Sequence, residues 1–274
     1  DGTVATPFLY RPLQREDVDE RPDYLIHSYT KDLSGCGAVI AGCVIGRNND
    51  MFIPKGESVG DVSWDQTMFW NVYYVKGAFL NADGAFEVMQ GMRTLPLRML
   101  QKCINTQILA DFLDSHPSIQ VNSNAVPSNP NYQQRADHLY LGLPAPLFTF
   151  DMGAIERDAF QRFFDALSPT FGHMISLGQS NTIVSCPSLT THSELDEKAL
   201  ADAGMTPTTV RCAVGDEDPM DLIHHFVQAA KGTIDSVHEG YSEQFMSEAE
   251  TREMIRQHYV ESHAAHVEAQ LSDD

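Results

Sequence analysis

The run His27-Ser28-Tyr29-Thr30-Lys31 closes an apolar stretch, Tyr24-Leu25-Ile26, with hydroxyls and one lysine amine. An amine condenses with aldehydes and hydroxyls donate hydrogen bonds to phosphate, so these residue types together suit an aldehyde-binding lysine beside an anion site. The following segment places Gly35, Gly37, Gly42 and Gly46 among Cys, Ala, Val and Ile. That spacing lets backbones approach closely behind such a site. Read alone, the same hydroxyls and lysine also fit a capped surface loop, because Ser, Thr and Asp favour turns. A second candidate is Arg211 in Thr209-Val210-Arg211-Cys212-Ala213-Val214. A guanidinium in an apolar strand is costly unless an anion pairs with it. A substrate carboxylate would match its planar fork, and Asp216, Glu217 and Asp218 are the internal alternatives.

Alternating elements must position these groups. Leu25 to His27 and Ala38 to Ile45 read as buried strands. From Asp83 the pattern turns helical, with Phe86 and Met89 on one face. After Thr94 and Pro96, the residues Leu97, Leu100, Cys103, Ile104, Ile108 and Phe112 recur at three- and four-residue spacing. The spacing predicts a helix or helix pair. Leu139 to Leu141, Leu147 to Phe150 and Thr209 to Val214 read as strands; 155–167 and 219–230 read as helices. Ser247-x-x-Glu250 is a capping-box pattern, and Ile255, Tyr259, His263, Val267 and Leu271 repeat every four residues behind it. The predicted organisation is residues 1–90, residues 91–235 as a smaller α+β domain, and an acidic helical tail over 236–274. His258, His263 and His266 cluster on that tail without a Cys or a well-spaced third ligand, so no metal is expected.

Composition bounds the rest. With 274 residues, 42% of them hydrophobic, the chain can bury a sizeable core. A formal charge of -20 disfavours DNA or RNA as partner, since their phosphates require clustered Lys and Arg. The five cysteines are scattered and odd in number, which reads as reduced, buried thiols in a cytoplasmic protein. No apolar run reaches the ~20 residues of a membrane span, and neither a membrane nor a signal peptide is expected.

Ser28-x-Thr30-Lys31 resembles the lysine motif of the Cys/Met-metabolism (trans-sulfuration) family of pyridoxal-phosphate enzymes. The likeness continues through Asp1-Gly2-Thr3, Arg93-Thr94-Leu95-Pro96-Leu97-Arg98, Ser176-Leu177-Gly178, Pro187 with Thr190-Thr191-His192, and Val210-Arg211. The resemblance implies an α/β chain of the fold-type I, aspartate aminotransferase-like class, with 1–90 as part of the cofactor-binding large domain. It implies pyridoxal 5'-phosphate as cofactor, held covalently by Lys31, with Ser28 and Thr30 on the phosphate. Asp1 would pair with the pyridine nitrogen beside Thr3, and Arg211 with Ser176 would bind the substrate carboxylate. Lys31 would also be the general base at the substrate Cα.

The implied activity is γ-replacement or γ-elimination on a small amino acid, at a carbon-sulfur or carbon-oxygen bond. Thr190 to Leu195 is similar to the sulfhydrylase branch, whereas Ile175 before Ser176-Leu177-Gly178 is similar to methionine γ-lyases. The family's Gly-His-Gly is Gly35-Cys36-Gly37 here, its His-Pro is Cys186-Pro187, and Asn181 stands where a Glu is common. Family members carry a further N-terminal region with the glycine loop for the phosphate and a ring-stacking tyrosine, and they assemble as dimers or tetramers. A missing N-terminal segment or chain is therefore an expected partner. The alternative expectation is a catalytically inactive subunit that keeps the fold as a scaffold for a partner chain.

Overall fold

A computed structural model describes residues 1–272; the final two positions of the predicted tail lie outside the described residues. Two compact units divide the chain, Asp1–Leu95 and Pro96–Asp274.

In the first unit a short helix, α1 (Thr6–Leu9), precedes an antiparallel pair of strands, β1 (Tyr24–Ser28) and β2 (Gly42–Gly46). A short helix α2 (Asn48–Met51) and a hairpin of β3 (Ser58–Val59) with β4 (Val62–Ser63) follow. A helical turn over Phe69–Tyr74 then brings Phe69 edge-on to Phe52 at 5.1 Å, while the Trp70 indole donates to the Ile53 carbonyl at 2.8 Å. The predicted buried strand from Ala38 is shorter than expected, and Ile40 is 95% exposed. Gly35 and Gly37 sit at φ 74° and 65°, which breaks the extended chain, and two strands alone cannot cover both faces of β2.

Helix α3 (Ala82–Asp114) is one continuous element of 33 residues rather than a pair, and the division between units falls within it, just before Pro96. Pro96 forfeits one main-chain hydrogen bond without ending the helix, whose apolar stripe is buried at Met99, Cys103, Ile104, Ile108 and Phe112.

The second unit is built on a mixed five-stranded sheet. Its strands are β5 (Gln120–Asn122), β6 (Leu147–Asp151), β7 (Gly172–His173), β8 (Ile183–Ser185) and β9 (Thr209–Ala213), in the order β5-β6-β9-β8-β7. All neighbours run antiparallel except β7 with β8. The helices are α4 (Tyr132–His138), α5 (Arg157–Ala166), α6 (Glu197–Asp202), α7 (Pro219–Thr233) and α8 (Glu248–Ser272). Helix α5 buries Ala159, Phe160, Phe163 and Phe164, and Phe163 meets Phe226 of α7 edge to face at 5.1 Å. Asp218 caps α7 by accepting from the Met220 amide, with Pro219 opening the first turn. Leu139 to Leu141, predicted as a strand, is a tight turn with Leu141 at φ 53°, because Gly142 is also left-handed and Pro144 forbids a continued ladder. The predicted capping box forms at α8: the Ser247 amide donates to Glu250 at 3.0 Å and the Glu250 amide to Ser247 at 3.4 Å. Cys103, Cys186 and Cys212 are buried thiols, whereas Cys36, expected inside, is exposed in the Gly35–Gly37 loop. Among the described residues no helix is long and apolar enough to cross a membrane.

One core group makes stability pH-dependent. His116 is buried, accepts from the Ser118 amide at Nδ1 (3.2 Å) and uses Nε2 on the Tyr241 carbonyl (3.0 Å), which fixes the neutral ring. Burial holds its pKa below the ordinary 6.5, the Tyr241 carbonyl only partly offsetting that. As pH falls below 6.5 the unfolded chain takes up a proton that the native state refuses, so stability is lost in that window. Protonation of the chain's many carboxylates relieves self-repulsion in the opposite sense, so the comparison must be internal. The denaturation midpoint of the wild type should fall more between pH 7.5 and 5.5 than that of H116Q, whose amide cannot titrate; equal losses would remove His116 from this role.

Candidate active site

Strand β1 ends at Ser28, paired with Gly42 of β2, and the chain then enters a single wide helical turn over Tyr29–Leu33. Lys31 breaks that turn with φ -92° and ψ -141°. Its carbonyl accepts from the Ser34 and Gly35 amides at 3.1 and 2.9 Å, and Gly35 supplies the left-handed conformation that closes the turn. The Tyr29 and Thr30 amides both donate to the Ala41 carbonyl, and the Ala41 amide donates to the Thr30 hydroxyl at 3.0 Å. The Lys31 segment is thereby pinned to the start of β2. From the other side, the Ser34 backbone lies against α3 at Gly91, where an added Cβ would stand 2.1 Å from the Ser34 oxygen. Any side chain at 91 would displace one of the two, a clash of the kind that costs about 1–3 kcal/mol.

The N-terminal residues run beside β1. The Gly2 amide donates to the Ile26 carbonyl at 2.9 Å, the Ser28 amide to the Thr3 hydroxyl at 2.9 Å, and the Thr3 amide to the Asp1 carboxylate at 2.8 Å. Asp1, Thr3 and Ser28 line an open cavity of about 860 Å³ with His27 and Tyr29, its far wall made of apolar side chains such as Phe52, Met68 and Phe69. Lys31 and Thr30 do not line this cavity. Lys31 is half-buried in the adjoining turn, and the Thr30 hydroxyl donates to the Ala41 carbonyl at 3.3 Å, so it reaches a phosphate only by releasing that bond.

Two further side chains shape the cavity, and sequence reasoning gave neither a role. His27 is 3% exposed, and neither ring nitrogen has a hydrogen-bond partner. Its ring packs so tightly on Gly2 that a Cβ there would sit 2.7 Å from Cε1. Burial lowers its pKa, an interaction with the Gly2 backbone only partly offsetting that, so the ring is held neutral. Tyr29 is pushed up to about 12, chiefly by burial and then by Cys43 against its hydroxyl, and stays protonated. The signal available for His27 was the inward alternation of Leu25 and His27 in β1.

In the second unit, Arg211 sits on β9, the middle strand of the sheet, between Thr149 of β6 and Ser185 of β8. One guanidinium nitrogen, Nη2, donates to the Ser176 carbonyl at 2.8 Å, while Nε is buried with no partner. The structure therefore brings Ser176 and Arg211 together through the Ser176 backbone. Two of the three internal acids are engaged elsewhere: Glu217 accepts from the Thr182 hydroxyl at 2.9 Å, and Asp218 caps α7. An orphaned Nε in the sheet leaves one donor of the guanidinium unspent.

Residues 1–231 match the family described as Cys/Met metabolism PLP-dependent enzyme, and the chain belongs to that family. The L-methionine gamma-lyase of Pseudomonas deceptionensis is 33% identical over 233 residues, which is 84% of this chain and 53% of that protein. The O-acetyl-L-homoserine sulfhydrylase of Leptospira meyeri is 28% identical over 260 residues, 84% of this chain and 57% of the other. Among solved structures, a cystathione gamma lyase of Micromonospora echinospora superposes with a TM-score of 0.69 at 26% identity, covering 85% of this chain and 55% of that one. The fold is fold-type I, α/β with a mixed sheet, and the chain spans about half the length of the curated relatives it matches.

The family's cofactor is pyridoxal phosphate, and the cavity in the first unit fits it on three counts. It has the volume for the ring. It offers the unspent nitrogens of His27, which a polar ligand would satisfy. It places a carboxylate, Asp1, and the residue Ser28 along one wall, beside the turn that carries Lys31.

Proposed function

We propose that this chain supplies the lysine and the substrate-carboxylate site of a pyridoxal-phosphate enzyme acting on γ-substituted amino acids, by replacement or elimination at a carbon-sulfur or carbon-oxygen bond. The observation that carries the reading is the broken turn at Lys31, pinned to Ala41 and Gly91 at the end of β1 and flanked by Asp1, Thr3 and Ser28. When bound, the cofactor supplies an electron-withdrawing ring conjugated to the substrate Cα. Lys31 Nζ would hold the cofactor through its aldehyde, and the same amine would serve as the base that moves a proton at the substrate Cα. The Asp1 carboxylate would keep the pyridine nitrogen protonated; its contact with the Thr3 amide leaves acceptor capacity for that. Ser28 would donate to the phosphate, with Thr30 as a second donor were its Ala41 bond to open. Arg211 binds the α-carboxylate through Nε, the Ser176 carbonyl holding Nη2 in place.

The relatives named for L-methionine and for O-acetyl-L-homoserine support a sulfur amino-acid substrate. The chain spans about half of each, and the reading assigns the remaining cofactor contacts to a further segment or chain. One observation favours the alternative of a non-catalytic scaffold: Lys31 and Thr30 stand outside the cavity that Asp1 and Ser28 line. Borohydride reduction of the natively purified protein followed by peptide mapping separates the two. A pyridoxyl adduct on Lys31 is the expected result; an unmodified Lys31 in protein supplied with cofactor selects the scaffold.

A further inference from the structure

Helix α8 lies beyond residue 231, where the family match ends, yet it is anchored to the second unit by polar contacts along its length. His258 pairs with Asp111 of α3 at 2.8 Å, the Tyr140 hydroxyl bonds His266 Nδ1 at 3.0 Å, and Thr251 is buried. The most consequential contact is Tyr259, whose hydroxyl receives a hydrogen bond from the Gln101 side chain of α3. Gln101 also donates to Asn105 Oδ1 at 2.9 Å, and the Tyr259 hydroxyl lies 3.4 Å from the same oxygen.

Asn105 is wholly buried, and its amide is fully used. Its NH₂ donates to the carbonyls of Gly215 and Glu217 at 3.1 and 2.8 Å. A side-chain amide has two donors and two acceptor positions, so Tyr259 and Gln101 on the oxygen leave its nitrogen facing the 215–217 turn. That turn follows β9, the strand of Arg211. It is tied to the loop that leads into β8, the strand on one side of Arg211: the Asp216 amide donates to the Ser180 carbonyl at 2.9 Å, the Gly215 amide to the Thr182 hydroxyl at 3.0 Å, and the Thr182 hydroxyl to Glu217 at 2.9 Å. The buried Lys102 donates to the Gln179 carbonyl in the same loop, at 2.6 Å. Ser176, whose carbonyl orients Arg211, begins that loop.

We propose that α8 is a strap, with Tyr259 as a positioning residue that fixes Asn105 through Gln101 and thereby sets the carboxylate affinity of Arg211. The inference rests on the proposed reading of Arg211 as the carboxylate site. The test uses the full chain in its native assembly, with Y259F, which keeps the ring and removes only the hydroxyl.

Hydrogen exchange without substrate should rise about ten-fold at the Gly215, Asp216 and Thr182 amides and stay unchanged in α5, since losing the hydroxyl loosens one local network. With L-methionine as probe, KM should rise about five-fold with kcat within two-fold, as expected when only ground-state binding is weakened. Unchanged exchange at those three amides overturns the strap. So does raised exchange with unchanged KM, provided that R211K raises KM. If R211K itself leaves KM unchanged, the carboxylate reading of Arg211 fails, and the exchange result then judges only the brace.

Discussion

Lys31→Ala in the native assembly should lower turnover by at least about a thousand-fold, because in the proposed reading one amine carries both the covalent anchor and the proton transfer at Cα. The fold should persist. Lys31 is half-buried, and its carbonyl accepts from the Ser34 and Gly35 amides, backbone bonds that alanine keeps. The expected signature is a thermal midpoint within a few degrees of the wild type, loss of the borohydride-fixed adduct, and no recovery of rate with added cofactor. Asp1→Asn offers the graded counterpart: the ring would still be held, but without a carboxylate to keep its nitrogen protonated, turnover would fall with the adduct retained. Retention of wild-type turnover by the alanine variant would remove Lys31 from the chemistry and favour the scaffold.

The sequence made these groups legible unequally, for physical reasons. Strand β6 and helices α5 and α7 follow from periodicity because each buries one face against a single core, as Phe160, Phe163 and Phe164 do in α5, whereas β9, buried on both faces, follows from its continuous apolar run. The Lys31 motif was legible by residue type and order, since the chemistry demands an amine and hydroxyls whatever the fold. What they touch was not: the commitment of the Thr30 hydroxyl to Ala41 depends on how the 35–41 loop returns, and two left-handed glycines decide that. His27 read as part of a motif rather than as a buried ring without partners, because burial in a two-stranded sheet depends on what covers it. Strand β2 failed as a buried strand for the same reason. The tail was legible as a capped amphipathic helix, but its Tyr259–Gln101–Asn105 contacts join residues some 150 positions apart, and no local pattern encodes them.

Arg211 is where the chain's overall charge and its local chemistry oppose each other. A formal charge of -20 gives no long-range attraction for a zwitterionic amino acid, so in the proposed reading recognition of its carboxylate comes from a localised, partly desolvated cation. Its unpartnered Nε keeps part of the hydrogen-bonding fork unspent, which costs the free protein stability and returns it on binding. Arg211→Ala should therefore raise KM for L-methionine about 100-fold, the loss expected for charge-assisted hydrogen bonds worth roughly 2–3 kcal/mol. Arg211→Lys keeps the charge but not the planar edge, and about ten-fold is expected. Folding should suffer little: the alanine variant loses the Nη2 bond to the Ser176 carbonyl but also relieves the desolvation cost of an Nε that lacks a partner. The specificity readout is sharper than the rate: the wild type should prefer L-methionine strongly over its amide, and both variants should lose most of that preference. A preference that survives in Arg211→Ala would place carboxylate recognition on another cation and leave the bare Nε without a ligand.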